Sequence, residues 1–256
     1  MKLILENWRR YLTEGEAEQF PWLKELKDAA TFKEQGEVLE NKDLFEFVAR
    51  GNFRKVYQPI EDEDYVVKIA LPHHEPPHRM NEDDFKLSIE YPLIFPKAYA
   101  HSDDFSWVVL EKVGVISYKE ADEEAMQKIL DKSFPAEQKA IKEEVPQRGS
   151  LPKVPGGDVR WPEAIWNPKV GSDDLRSPTV IMELIMASYR FGHLEDVGEK
   201  EMQDLISPIA GGVYDELSKA MAEYSIDPRE IRPGNIGYDK DYNFKIIDSS
   251  VFGKQT

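Results

Sequence analysis

Ile231-Arg232-Pro233-Gly234-Asn235-Ile236-Gly237, followed by Phe244-Lys245-Ile246-Ile247-Asp248, joins a turn marked by proline and glycine to a short apolar strand that ends on a carboxylate. Asp248 lies thirteen residues past Asn235. Immediately upstream, Ile209, Val213, Leu217, Ala220, Met221 and Tyr224 repeat at helical spacing, and Asp227-Pro228 halts the repeat. A helix therefore feeds directly into the turn that carries Glu230 and Asn235.

This arrangement resembles the catalytic loop of the protein-kinase-like fold. In the H-R-D-L-x-x-x-N signature of that family, the acid that handles the substrate hydroxyl proton lies five positions before an asparagine that binds magnesium. Here Pro228-Arg229-Glu230 stands where His-Arg-Asp would be, and Ile231 to Ile236 resembles Leu-Lys-Pro-Glu-Asn-Ile. Asp248 stands at the metal-binding aspartate of D-F-G. The resemblance implies Glu230 as the catalytic acid, Asn235 and Asp248 as ligands of Mg²⁺, and ATP as the nucleotide. Glutamate in place of aspartate is a departure: the added methylene moves the carboxylate by about 1.5 Å, and misplacement of about 1 Å can cost on the order of a hundredfold in rate. Asp227 offers a second carboxylate, but Pro228 after it favours helix termination as its role.

The amino-terminal half carries the family's other parts in the same order. Leu44 to Tyr57 reads as strand, turn, strand and resembles the loop G-x-G-x-x-G-x-V, with Val56 at the valine. Only the middle glycine, Gly51, is present. Ala49 takes the first glycine's place and Arg54 the third's, so side chains are expected to restrict backbone approach to phosphates, with Phe53 at the loop tip. After the acidic turn Glu61 to Asp64, Tyr65-Val66-Val67-Lys68-Ile69-Ala70 puts Lys68 where V-A-I-K has the lysine that pairs with the α/β-phosphates. A lysine alternating out of a β-branched run ordinarily ends in water, so its functional reading depends on the motifs around it.

Kinases hold that lysine with an acid from the next helix, and Asn81 to Glu90 is the helical candidate. Asp84 fits by distance from the next landmark and Glu82 by chemistry. The plainer reading makes Glu82, Asp83 and Asp84 a solvated first turn favoured by the helix dipole. Ile94 to Ala100 and Ser106 to Val113 then read as two more strands around a polar turn. The second resembles the strand leading to a kinase hinge, which implies that Glu111 and Val113 offer backbone groups to an adenine ring. Five short strands with one intervening helix match the small lobe of the fold.

The chain has 256 residues, enough for one large domain or two lobes. Its formal net charge of −16 repels nucleic-acid backbones and anionic membranes as main partners. No cysteine is present, so disulfide and thiolate chemistry are excluded, as suits a reducing cytoplasm. No apolar run reaches membrane-span length, and Leu3-Ile4-Leu5 is too short a core for a secretory signal. His73-His74-Glu75-Pro76-Pro77-His78 invites a metal reading, but the spacing fits no common zinc site and the prolines suggest a loop.

Three regions follow: a helical extension over 1–36, a kinase-like small lobe over 37–113, and a helical lobe over 114–256 that carries the catalytic loop at 228–248. Within the first, Ile4, Trp8, Tyr11 and Leu12 mark an amphipathic helix, and the opening resembles those of marine bacteriophage proteins, implying a viral source and a host cytoplasm. Within the last, Ala121 to Asp131 and Thr179 to Phe191 read as helices. Between them an insertion around 145–178 is rich in proline and glycine and holds Trp161 and Trp166, as an irregular segment pinned to a surface does. After Asp248 only Ser249 to Thr256 follow, so no activation segment and none of the fold's usual C-terminal helices are expected. The fold class expected is α+β: a two-lobed kinase-like fold in which Lys68, Asn235 and Asp248 converge on one magnesium nucleotide. Two functions compete. One is an ATP/Mg-dependent phosphotransferase with an unknown phosphoacceptor; the other is a pseudokinase that binds nucleotide or a protein partner without turnover.

Overall fold

The computed structural model describes residues 20–71, 76–116, 123–148, 177–191, 212–227, 231 and 234–248. The expected helix within Met1 to Leu12, the histidines at 73 and 74, both tryptophans of the insertion, and Glu230 lie outside the described residues. The protein is α+β, and it divides into two compact units, Met1–Lys112 and Val113–Thr256. Among the described residues no helix is long and apolar enough to cross a membrane.

The first unit is built on a five-stranded antiparallel sheet: β1 (Phe45–Arg50), β2 (Arg54–Pro59), β3 (Tyr65–Ala70), β4 (Ala98–His101) and β5 (Trp107–Glu111). Their order across the sheet is β1-β2-β3-β5-β4. The period of two in side-chain direction gives the sheet two distinct faces. Phe45, Tyr57, Val67, Ile69, Trp107 and Val109 point to one face and form a continuous apolar core with Phe20, Trp22, Leu23, Leu26 and Leu39.

Those partners come from two short helices, α1 (Pro21–Asp28) with its N-cap Phe20, and α2 (Phe32–Leu39). Proline opens α1, where a missing amide hydrogen costs nothing. Thr31 caps α2 in a reciprocal box: its hydroxyl accepts from the Glu34 amide at 3.2 Å, and its own amide donates to the Glu34 carboxylate at 2.8 Å. Helices of eight residues are marginal alone. Here burial of Trp22, Leu26 and Leu39 stabilises them by roughly 1.5–3 kcal/mol per large side chain. The residue-36 boundary expected from the sequence falls inside α2, and both helices belong to the sheet's core.

The opposite face meets α3 (Pro76–Glu90), which packs against β3, β4 and β5. The helix begins at Pro76, five residues before the expected start, because a proline pair is tolerated in a first turn as readily as in a loop. Ser88 fixes its far end to the sheet by accepting from the Ala98 amide at 2.6 Å.

The second unit contains α4 (Glu123–Ser133), α5 (Pro135–Arg148), α6 (Pro178–Phe191), α7 (Val213–Tyr224) and a three-stranded sheet of β6 (Gly114–Val115), β7 (Ile236–Tyr238) and β8 (Phe244–Ile246). Helix α5 has no sequence forecast because its apolar residues do not line one face, and its end overlaps the expected insertion. Phe134 is fully buried between Tyr189 and Phe244, at ring distances of 5.8 and 5.2 Å. The Phe244 amide donates to the Ser133 hydroxyl at 2.9 Å, which ties the end of α4 to β8. Gly114 pairs with Tyr238 and Val115 with Gly237 across β6 and β7, and the strands lie so close that a Cβ on Gly237 would collide with the Gly114 carbonyl oxygen.

Candidate functional site

Lys68 sits in the middle of β3, between Val67 and Ile69, which both face the apolar core. Alternation sends it to the α3 side. There it is only 5 % exposed, so the water-facing reading of a lysine in a strand does not apply. Its row across the sheet is apolar, with Val56 on β2 and Val108 on β5 as register partners. A buried ammonium in such surroundings needs a counter-charge. Asp84 supplies it: the Asp84 Oδ2 atom accepts from Lys68 Nζ at 2.9 Å.

The three neighbouring acids on α3 take three different environments. Glu82 pairs with Lys86 at 2.7 Å on the surface. Asp83 is buried; its Oδ2 makes no hydrogen bond and approaches Arg79 only to 4.0 Å. Burial chiefly, and then the Asp84 and Glu82 charges against the pull of Arg79 and Lys86, push the Asp83 carboxyl up to about 6. Asp84 goes the other way: burial disfavours its charge, but Arg54 and then Lys68 outweigh burial and hold the carboxyl below the usual carboxylate range. Of the two acids left open by the sequence, distance along the chain was the better guide than side-chain length.

The second cation at Asp84 is Arg54, from the first position of β2. Its Nη1 donates to the same Oδ2 atom at 2.6 Å and reaches Asn81 Oδ1 at 3.4 Å. Arg54 is 6 % exposed, and its guanidinium meets Asn81 and Asp84 of α3. Asn81, fully buried, donates through Nδ2 to the carbonyls of Phe105 and Ser106 at 2.9 and 3.1 Å. It thereby holds a turn in which Phe105 adopts a φ of 55°, a conformation disfavoured for a large side chain. Ser106 in turn donates to Gln35 on α2 at 2.7 Å. One polar network thus runs from α2 through the β4–β5 turn to Asn81, Arg54, Asp84 and Lys68. The sequence reading missed Arg54 and Asn81 as members. A signal existed for Arg54, since strand alternation puts it on the face of Val56.

The β1–β2 turn is tight. The Gly51 amide donates to the Arg54 carbonyl at 2.8 Å, and the Phe53 carbonyl accepts from Leu71 at 2.8 Å. Phe53 is 38 % exposed at the turn. A Cβ on Gly51 would meet only the Arg54 carbonyl oxygen, at 3.7 Å, so the fold itself does not demand glycine there. At the other end of the sheet, Glu111 pairs with Tyr65, its amide donates to the Lys97 carbonyl at 2.8 Å, and its carboxylate accepts from the Lys97 amide at 3.3 Å. Val113 begins the second unit.

In that unit the β7–β8 hairpin sets Asn235 beside Asp248. Ile236 pairs with Ile246, and one step further out the Asn235 carbonyl accepts from the Ile247 amide at 2.7 Å and the Asp248 amide at 3.5 Å. The preceding Gly234 has a φ of 88°, which a side chain would resist. At the closed end Asp239 organises the turn: Oδ1 accepts from the amides of Asp241 and Asn243, both at 2.9 Å, and Oδ2 from Asn243 Nδ2 at 2.7 Å. The hairpin is therefore braced by a buried carboxylate at one end and brings Asn235 and Asp248 together along the backbone at the other. Hard oxygen donors of this kind suit Mg²⁺, which keeps several waters and takes one or two protein carboxylates alongside substrate phosphates.

Among the described residues no group of three or more histidines and acids sits together as a metal set. An open depression of about 320 Å³ on α5, lined by Pro135, Gln138, Lys139, Lys142 and Glu143, includes none of the expected site residues. No protein-family model matches the chain, and no curated protein matches it.

Proposed function

We propose that the chain is an ATP- and Mg²⁺-dependent phosphotransferase on a two-lobed protein-kinase-like fold, acting on a hydroxyl acceptor. In this reading Lys68 holds the α/β-phosphates, Asn235 and Asp248 hold magnesium, and Glu230 takes the acceptor's proton. Gly51, Phe53 and Val56 flank the nucleotide, and Glu111 and Val113 meet the base. The observation that carries the reading is the buried Lys68–Asp84 pair at 2.9 Å. A strand lysine does not accept the cost of burial merely to be a solvated charge, and an acid from the following helix is the partner that phosphate-binding lysines of this kind use. The adjacency of Asn235 and Asp248 across the hairpin supports the metal half of it. Phosphoryl transfer depends mainly on positioning and charge neutralisation, so the longer Glu230 lowers the rate without abolishing it.

The test is a thermal shift with ATP and Mg²⁺ on the whole chain, together with transfer of labelled phosphate to the protein itself or to a lysate. Wild type is expected to gain stability with MgATP, as any ligand that binds only the folded state must confer. Lys68→Ala and Asp248→Ala are expected to lose that gain, and Glu230→Asp to transfer faster. No shift in wild type overturns the nucleotide reading. A shift without transfer, unchanged by Glu230→Asp, converts it to a nucleotide-binding scaffold.

A further inference from the structure

Arg54 and Lys68 converge on one atom, Oδ2 of Asp84, at 2.6 and 2.9 Å. The carboxylate thus keeps one cation within hydrogen-bond distance when the other turns away. Arg54 is the nearer of the two and stays charged at any accessible pH. It is also tethered, with its second contact to Asn81 and its backbone at the head of β2. Lys68 has a flexible four-carbon stem and three donors that can turn to a new acceptor. An ordinary lysine–acid pair that gives up its lysine leaves a buried carboxylate uncompensated, which is strongly destabilising. Here that consequence is removed.

We infer that Arg54 is the resident counter-ion of Asp84, a positioning residue that frees the Lys68 ammonium to exchange that carboxylate for an anionic ligand. The inference rests on the proposed role of Lys68 toward a nucleotide, and it adds the reason a buried lysine stays available. Arg54 acts through Asp84 and touches no ligand.

The test compares wild type with Arg54→Lys and Arg54→Met in the full chain. Methionine keeps the apolar stem and leaves a neutral Lys68–Asp84 pair. Two quantities are measured: the exchange rate of the Lys68 ammonium protons by NMR in ligand-free protein, and MgATP affinity by calorimetry. With Arg54 gone, Lys68 becomes the cation on Asp84, so its ammonium exchange is expected to slow and MgATP affinity to fall by about tenfold or more, the scale of one rearranged buried charge pair. Arg54→Lys is expected to lie between the two on both measures, and it carries the comparison if Arg54→Met does not fold. Unchanged ammonium exchange in the variants overturns the inference, even if affinity falls, because Arg54 then acts by another route. Unchanged affinity with slowed exchange overturns it too. If wild type itself binds no MgATP, the nucleotide reading fails, while the ligand-free exchange measurement still decides whether Arg54 competes for Asp84.

Discussion

Asp84 and Asp239 are equally inaccessible, at 8 % and 7 % exposure, yet they are held by different physics. Asp84 is neutralised by two full cations within 3 Å. Asp239 is satisfied by two backbone amides and a side-chain amide, with Lys245 Nζ only at 3.9 Å. The first arrangement responds to any change of charge nearby. The second responds to a change of geometry and scarcely to charge, as expected of a turn brace. A buried carboxylate shared by two side-chain cations is where charge can be exchanged, whereas one among its own backbone amides is part of the scaffold.

The sharpest way to break the contrast is to remove each acid. Asp84→Ala removes the acid that Arg54 and Lys68 share, and it is expected to destabilise the first unit by about 3–5 kcal/mol, the range for breaking a buried ion pair. Denaturant unfolding reads this directly. A loss under about 1 kcal/mol would mean that water reaches the cations and that the centre is not the dry site its burial implies.

The next largest effect is a pH dependence, and it sets Asp84 against its own neighbour. The Asp83 carboxyl is raised to about 6, so between its unfolded value near 3.8 and that point the folded state binds the extra proton. Stability is therefore lost as pH rises through this window, by on the order of 1–3 kcal/mol. Asp84 has the opposite sign: its folded value is depressed, so its contribution is present above the usual carboxylate range and is lost only as pH falls through the lower folded value. Unfolding of the wild type followed from pH 4 to 8 is expected to show stability falling towards neutrality, and Asp83→Asn to flatten that limb. A curve with the same slope in the variant would assign the dependence to other groups.

The two carboxylates also differ in how far a sequence discloses them. Strand and helix placement mostly followed from local pattern: four strands of the first sheet and helices α6 and α7 are where alternation, turns and apolar periods set them, whereas β4 starts at Ala98 rather than Ile94, because Ile94 and Phe95 are buried in the turn after α3. Helix α2 was announced by Thr31 and Glu34 at capping-box spacing, a signal left unread. Helix α5 announced nothing, because a helix whose apolar residues are scattered has no period to detect. The Asp84–Lys68 contact was one of two candidates, since spacing limits a pairing and packing decides it. Arg54 was legible only as a departure from a glycine pattern; its destination depends on how α3 crosses the sheet, which is a tertiary fact. Asp239 gave no sign at all, because a turn brace looks like any other polar residue in a loop.

Asp239→Asn should cost far less than loss of Asp84, about 1 kcal/mol. The asparagine Oδ1 can still accept from the amides of Asp241 and Asn243, and only the contact with Asn243 Nδ2 becomes donor against donor. Rotation of the Asn243 amide relieves that clash. Lys245 is buried too, but at 3.9 Å it is beyond hydrogen-bond reach of Oδ2. The measurement is again denaturant unfolding, and a loss as large as that of Asp84→Ala would show the Lys245 charge to be the real partner.

The smallest effect belongs to Glu82, and it tests whether position on one helix or burial decides an acid's worth. Glu82 and Asp84 stand two residues apart on α3, yet Glu82 pairs with Lys86, one turn away, with both side chains partly open to solvent. Water and salt screen such a pair, and holding two long side chains together costs entropy. Glu82→Ala is therefore expected to change stability by no more than about 0.5 kcal/mol, and by less in high salt. Measured beside Asp84→Ala in the same buffer, it separates helix position from environment. A Glu82 effect comparable with that of Asp84 would mean that acids on this helix act through the field of α3 as a whole, and that the ion pair at Asp84 Oδ2 is not what distinguishes it.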